Sequence, residues 1–280
     1  ELAESMRRLA RVGAEDLYQG QLADRITRFF QENGGFLTKA DFENYEVQWR
    51  EPISTDFQGH TLHTMPPGSC GMTMLQALNI MDGFDLPNMD LYGTEFLHLW
   101  LEAYKLALID DDQYNTGKDV DIPVERLISK EYADAQRAKI DPTSVAAFPG
   151  PLLSTEGTTS LSSADRWGNA VAFTQSLVSG FGSGVIAGDT GIFMNNGHRF
   201  GFVLSPEGHV NLLEGGQRAK GVMTPAIVMK EGKLVAAVGA AGGYTIPQTV
   251  GQVITKLVVG GMDMQLAIAS PRLLLNRSGG

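Results

Sequence analysis

Thr158, in Gly157-Thr158-Thr159-Ser160, stands where a helical region gives way to strands. By composition alone this is a hydroxyl-rich loop. Cleavage of the chain just ahead of Thr158 would give it a second chemistry. A threonine made N-terminal can use its own α-amine as base, an amine whose unperturbed pKa is about 7.7 to 8.0. One residue then supplies both nucleophile and base. Acyl transfer also needs donors for an oxyanion, commonly bare backbone N–H groups. Gly239-Ala240-Ala241-Gly242-Gly243 follows a strand-like run and precedes a helical one, which makes it a candidate donor loop. Its plain reading is a glycine-rich strand-to-helix turn.

Other chemistries find less support. Asp110-Asp111-Asp112 lacks the alternate ligands and glycine of a calcium loop, so it reads as a solvated helix end. His60 and His63 are three apart in a strand-like run and would point to opposite faces, which disfavours a metal pair. No Gly-x-Ser-x-Gly elbow occurs, and Cys70, the single cysteine, has no catalytic-thiol signature and permits neither an internal disulfide nor a structural zinc site. Gly182-Ser183-Gly184 is not continued as a phosphate loop. The formal charge of −10 excludes nucleic-acid binding by bulk charge, whereas 43% hydrophobic residues suffice for a real core. No apolar stretch of about 18 residues appears.

The elements that must position these residues follow from periodicity. Leu2, Met6, Leu9, Val12 and then Leu22, Ile26, Phe29 and Phe30 predict two helices broken near Gly13. Asn33-Gly34-Gly35 stops the second, and Thr38 to Asp41 caps the next. Residues 47–64 read as extended, 72–81 as an apolar helix, and 94–109 as a helix with Phe96, Trp100, Leu101 and Tyr104 on one side. The pattern changes at about Thr155. Leu161 to Thr174 reads as a hairpin turning at Asp165–Asn169, with further strands at 191–195, 227–230 and 234–239 and a helix from Pro247 to about Val259. A helical first half and a mixed second half give the class α+β. The chain opens on Glu1 inside a helical pattern, without initiator Met or signal peptide, and reads as a fragment or processed piece.

Through these residues the sequence resembles the gamma-glutamyltransferase (gamma-glutamyltranspeptidase) family of N-terminal-nucleophile hydrolases. The resemblance is carried in order by Gly34-Gly35 to Asp41, Met65-Pro66-Pro67-Gly68-Ser69-Cys70-Gly71, Thr158-Thr159, Asp165, Gly168-Asn169-Ala170-Val171, Phe181-Gly182-Ser183-Gly184, Asn195-Asn196, Met223-Thr224-Pro225 and Gly242-Gly243. It implies a four-layer αββα sandwich, incomplete at both ends of this chain. It also implies a precursor cut between Gly157 and Thr158, so that residues 1–157 form the end of an α-rich large subunit and 158–280 the small subunit. Thr158 would then attack an amide carbonyl to form an acyl-enzyme. Gly242 and Gly243 would supply the oxyanion donors, and Ser176, where the family usually has threonine, would orient the nucleophile. No metal or organic cofactor is implied. The partners would be a small amide or peptide substrate and the two subunits of one precursor.

Departures from the family pattern fall on the acyl pocket. Paired serines that hold a glutamyl α-carboxylate are Gly221 and Val222 here, an asparagine that reads the head group is Val178, and the residues that hold the α-amino group fall on Gly197 and Phe200, after Asn195-Asn196. His198 and Arg199 add basic character. These residues predict an anionic acyl group without an α-ammonium, because a pocket lacking the ionic partners leaves a zwitterion's polar groups unpaired; a reshaped loop is the plainer alternative. The family's carboxylate-binding arginine would lie ahead of Glu1. Two rivals remain: a true γ-glutamyl peptide transferase or glutathione hydrolase, and an unprocessed, inactive homologue acting as a binding module. Many members of the family are periplasmic or surface proteins, but this sequence does not give the compartment.

Overall fold

The computed structural model describes residues 1–147, 157–204 and 206–275. The change of pattern expected near Thr155 lies outside them. The chain divides into two units, Glu1–Arg50 with Leu177–Asn196, and Glu51–Ser176 with Gly197–Gly280.

In the first unit α1 (Leu2–Val12) ends at Gly13, as its periodicity predicts. A short α2 (Glu15–Tyr18) precedes α3 (Gln21–Glu32), so the expected pair of helices is three. The extra break is polar. The Asp16 carboxylate is buried and accepts from Arg8 at 2.6 and 2.7 Å and from the Gln21 N–H at 3.1 Å, which anchors the chain between α2 and α3. Leu22, Ala23 and Ile26 are buried on the inner face of α3. The expected capping box opens α4 (Lys39–Glu43), where Thr38 N–H donates to Asp41 at 2.7 Å. The strand expected at 191–195 does not form; Phe193 makes only an isolated bridge with Ile186. Gly182, Gly184, Gly188 and Gly191 all have positive φ, which turns the backbone repeatedly and prevents a regular ladder.

The second unit starts with β1 (Ile53–Phe57) and β2 (His60–Thr64), joined through Gln58 and Gly59, both at positive φ as a tight hairpin turn requires. α5 (Gly71–Asp82) is buried on every side apart from its last residue, its polar Thr73, Gln76 and Asn79 donating to Asp111, Asp110 and Ile128 O. α6 (Thr94–Tyr114) runs a turn beyond the expected end, and the short α7 (Val124–Leu127) and α8 (Lys130–Arg137) follow. β3 (Thr158–Ala164) and β4 (Ala170–Ser176) are the expected hairpin. A one-turn α9 (His198–Gly201) precedes β5 (Ala226–Lys230), β6 (Lys233–Val238), α10 (Thr245–Val258) and α11 (Met264–Ala269).

The larger sheet has the order β1-β2-β5-β6 and is antiparallel throughout. Register puts Leu62 opposite Val228 and Val228 opposite Ala236, a buried row on one face. α5 packs on β1 and β2, with α6 and α10 against α5. Trp100 and Tyr104 fill the helical layer, and the Tyr104 hydroxyl donates to Pro247 O at 2.7 Å, satisfying the one polar atom that this ring buries. The β3–β4 hairpin packs against β5 and β6. That contact sets β3, which begins at Thr158, beside the strand that leads into the glycine loop.

Candidate active site

Pairing in the hairpin places Thr158 directly opposite Ser176. Their hydroxyl oxygens are 2.8 Å apart, and Ser176 Oγ donates to Gly157 O at 3.4 Å. A serine hydroxyl has one proton, so a Ser176 that donates to the Gly157 carbonyl accepts from Thr158. One side chain thus touches both the hydroxyl that would attack and the carbonyl that it would attack. The next rung on the same face is also hydroxylated. Ser160 and Thr174 are 3.3 Å apart, and Ser160 donates to Phe173 O at 3.2 Å. Strand alternation puts Leu161, Val171 and Phe173 on the opposite, exposed face.

Gly242 and Gly243 form the turn between β6 and α10, as expected. Their φ angles of 132° and 62° lie in the region that favours glycine. The Gly242 carbonyl accepts from Thr245 Oγ1 at 2.8 Å and the Gly243 carbonyl from Ile246 N–H at 3.0 Å, so the loop is tied into the first turn of a 14-residue helix whose N-terminus is its positive end. Gly239 links this loop to β3. A Cβ on Gly239 would overlap the Ser160 hydroxyl, so the close approach of strand and hairpin depends on the missing side chain.

Gly221 and Val222 lie in the loop before β5. Gly221 N–H donates to Gly68 O at 2.9 Å, Cys70 N–H to Met223 O at 3.2 Å, and Ser69 Oγ also to Met223 O. These bonds lash the Met65–Gly71 segment to the 221–225 segment. Val222 is buried. His198 and Arg199 are exposed on α9, and His198 stacks on Phe202 with ring centroids 5.4 Å apart. Val178 and Asn196 belong to the first unit. There Asn196 Oδ1 accepts from Ser179 N–H at 3.0 Å and Nδ2 donates to Ser179 Oγ at 2.9 Å, so its amide fixes the chain leaving β4.

Val178 has φ of 81°, the left-handed region where a β-branched residue is a genuine outlier and asparagine is tolerated. Holding such a conformation costs about 1–3 kcal/mol. Val178→Asn is therefore expected to stabilise the protein by about 1 kcal/mol, a rise of roughly 2–4 °C in melting temperature. A thermal melt at or below the wild-type midpoint would contradict this.

The reading of Asp110-Asp111-Asp112 as a solvated end is overturned. Asp110 and Asp111 are 5% and 2% exposed, and only Asp112 faces solvent. The helical stripe 96, 99, 100, 103, 104, 107 and 108 steps next onto 111, a signal the sequence contained. Asp111 accepts from Thr73 at 2.7 Å, Asn115 at 2.6 Å and Lys220 at 2.8 Å. Burial alone would raise its pKa, but Lys220 and these donors outweigh burial and hold it below the usual carboxylate value. Asp110 shows the opposite balance, burial raising its carboxyl despite bonds from Tyr132 and Gln76. Nothing in the sequence around Lys220 marks it as Asp111's partner. Among the described residues, no group of three or more His, Cys, Asp or Glu side chains is arranged to hold a metal, and no helix is long and apolar enough to cross a membrane.

The gamma-glutamyltranspeptidase family profile matches residues 1–278. The chain belongs to this family. It is 38% identical over 281 residues to the glutathione hydrolase-like YwrD proenzyme of Bacillus subtilis, covering 100% of this chain and 53% of that protein. It is 34% identical over 288 residues to the glutathione hydrolase proenzyme of Escherichia coli, covering 97% of this chain and 50% of that one. Among solved structures it is similar to the cephalosporin acylase of Bacillus halodurans, with a TM-score of 0.86 and 36% identity over 97% of this chain and 49% of the acylase. The chain thus spans about half the length of the curated relatives it matches. The family's named relatives include both hydrolases of glutathione and an acylase, so membership alone leaves the acyl group open.

Proposed function

We propose that the protein is a self-processing amidohydrolase or acyltransferase in which Thr158 is the nucleophile. The observation that carries this reading is the pair of Ser176 contacts, 2.8 Å to the Thr158 hydroxyl and 3.4 Å to the Gly157 carbonyl. In the first step the Thr158 oxygen attacks the Gly157 carbonyl carbon, the Thr158 nitrogen leaves with a proton, and an ester joins the two parts. Water opens the ester, releasing the Gly157 carboxylate and restoring the Thr158 hydroxyl beside the α-amine freed in the first step. The parts 1–157 and 158–280 are then segments of a large and a small subunit, within a four-layer αββα sandwich when the protein is whole. In turnover the amine takes the Thr158 hydroxyl proton as the oxygen attacks a substrate amide, and returns a proton to the departing amine. Gly242 and Gly243 stabilise the oxyanion, and water or an acceptor amine resolves the acyl-enzyme. The base must be neutral to act, so kcat/KM should rise with pH through the titration of this amine, about 7.7 to 8.0 if unperturbed.

The substrate in this reading is an anionic acyl amide without an α-ammonium. Val178, Gly197, Phe200, Gly221 and Val222 stand where a glutamyl head group would need polar ligands, and His198 and Arg199 add basic character nearby in sequence. The cephalosporin acylase similarity supports an acyl group other than γ-glutamyl; the glutathione hydrolase relatives support the alternative. A panel of p-nitroanilides on the processed full-length protein decides. Glutaryl and other des-amino donors are expected to match or exceed the γ-glutamyl donor in kcat/KM. A γ-glutamyl advantage of about a hundredfold, some 2.7 kcal/mol of transition-state preference, would overturn the pocket assignment.

A further inference from the structure

We infer that Lys220 is a positioning residue of the acyl site, its ammonium joined to Asp111 and set against the Tyr244 ring so that the 221–222 wall and the backbone beside Gly243 are held as one piece. The inference rests on the reading of the site given above.

Lys220 Nζ and Asp111 Oδ2 are 2.8 Å apart, with each side chain 3% exposed. An ammonium buried this deeply is costly without a partner, so its place is strongly dictated by the carboxylate. Asp111 is itself held by Thr73 and Asn115, and Asn115 continues to Gly68 N–H at 2.8 Å and Ser69 O at 3.0 Å. On the other side, Lys220 N–H donates to Gly201 O at 3.4 Å, at the end of α9, and its neighbour Gly221 donates to Gly68 O. Its ammonium lies 5.4 Å from the centroid of Tyr244, the residue that follows Gly243 and caps α10. The segments carrying His198 and Arg199, Gly221 and Val222, and Gly242 and Gly243 therefore each adjoin Lys220 itself or a residue that its backbone or its ammonium contacts.

The arrangement suits a wall without hydroxyls. Gly221 and Val222 offer a ligand no side-chain hydrogen bond, so an acyl chain cannot order this wall by binding to it; the ion pair orders it from behind. Burial alone would lower the ammonium's pKa, but Asp111, with Tyr244 and Cys70, outweighs it and holds the group above the ordinary lysine value. A raised lysine contributes its stabilisation fully below about pH 10.4 and loses it only at higher pH, so the device is constant through the neutral range.

The test is Lys220→Met in the full-length protein, with self-cleavage, melting temperature and acyl-amide kinetics measured separately. Self-cleavage uses Thr158, Ser176 and Gly157, which do not touch this group, and is expected at the wild-type rate. The kcat/KM of the cut enzyme for its best acyl amide is expected to fall by about tenfold or more. Asp111→Asn should give a similar fall, and the double variant should be no worse than Lys220→Met alone, because both remove one device. A lysine that only stabilised the fold would lower the melting temperature and leave kcat/KM of the folded enzyme unchanged. A cut Lys220→Met enzyme within about twofold of wild-type kcat/KM would overturn the inference. Should Lys220→Met not fold, Tyr244→Leu keeps the ion pair and removes the ring; the same fall is expected, and wild-type turnover overturns the inference. A wild type that neither cuts itself nor hydrolyses any amide overturns the reading of the site, whereas an active wild type beside an equally active Lys220→Met overturns only the role of Lys220.

Discussion

Thr158→Ala is expected to remain a single chain and to lose all amidase activity. In the proposed mechanism the substitution removes the oxygen that attacks Gly157, so no ester forms and no α-amine is released. The base is lost with the nucleophile, which makes the effect larger than deletion of a group that serves one step. The hairpin itself should survive, since alanine keeps the β3–β4 ladder and the half-buried face loses only one hydroxyl contact. Intact mass of the purified full-length variant reads the first outcome and amide hydrolysis the second. Thr158→Ser keeps an oxygen and an amine but loses the γ-methyl that restricts χ1, so it should cut more slowly and retain some turnover. An uncut wild-type protein that still hydrolysed amides would sink the mechanism. An uncut and inactive one would favour the binding-module rival.

What the sequence disclosed was local. The Thr38 to Asp41 cap, the Asp165–Asn169 hairpin turn and the glycine stop after α3 depend on neighbours within a few residues, and each occurs as read. The pairing of Thr158 with Ser176 follows from the same hairpin register, so the central contact of the candidate site was within reach of alternation and turn length. The Lys220 network was not, because its members are separated by 109 positions and meet only when α6 lies against the loop before β5. Asp111 illustrates the reason. A charged residue late in a helix reads as solvated until a distant cation is found for it, and composition assigns no partner. The failure at 191–195 has a different cause: several glycines at positive φ override the β-branched residues around them.

Gly243→Val is expected to lower kcat by about a hundredfold, close to 2.7 kcal/mol of transition-state stabilisation. Two effects act together. At φ of 62° a valine is strained, so the loop backbone moves and carries its N–H away from the developing oxyanion. The added branches also crowd the place where an acyl carbonyl would sit. Gly242 is a less clean probe, because a Cβ there would strike Thr245 Oγ1, which itself donates to the Gly242 carbonyl, and the start of α10 would be disturbed. Self-cleavage separates a local fault from a folding fault. In the uncut chain Ser176 already donates to the Gly157 carbonyl, so under the proposed mechanism Gly243→Val should still be cut at Thr158 while turning over substrate slowly. Gly243→Ala, with one carbon and no branch, should fall between valine and glycine. Near-normal kcat in a folded, cut Gly243→Val enzyme would remove Gly243 from the oxyanion role.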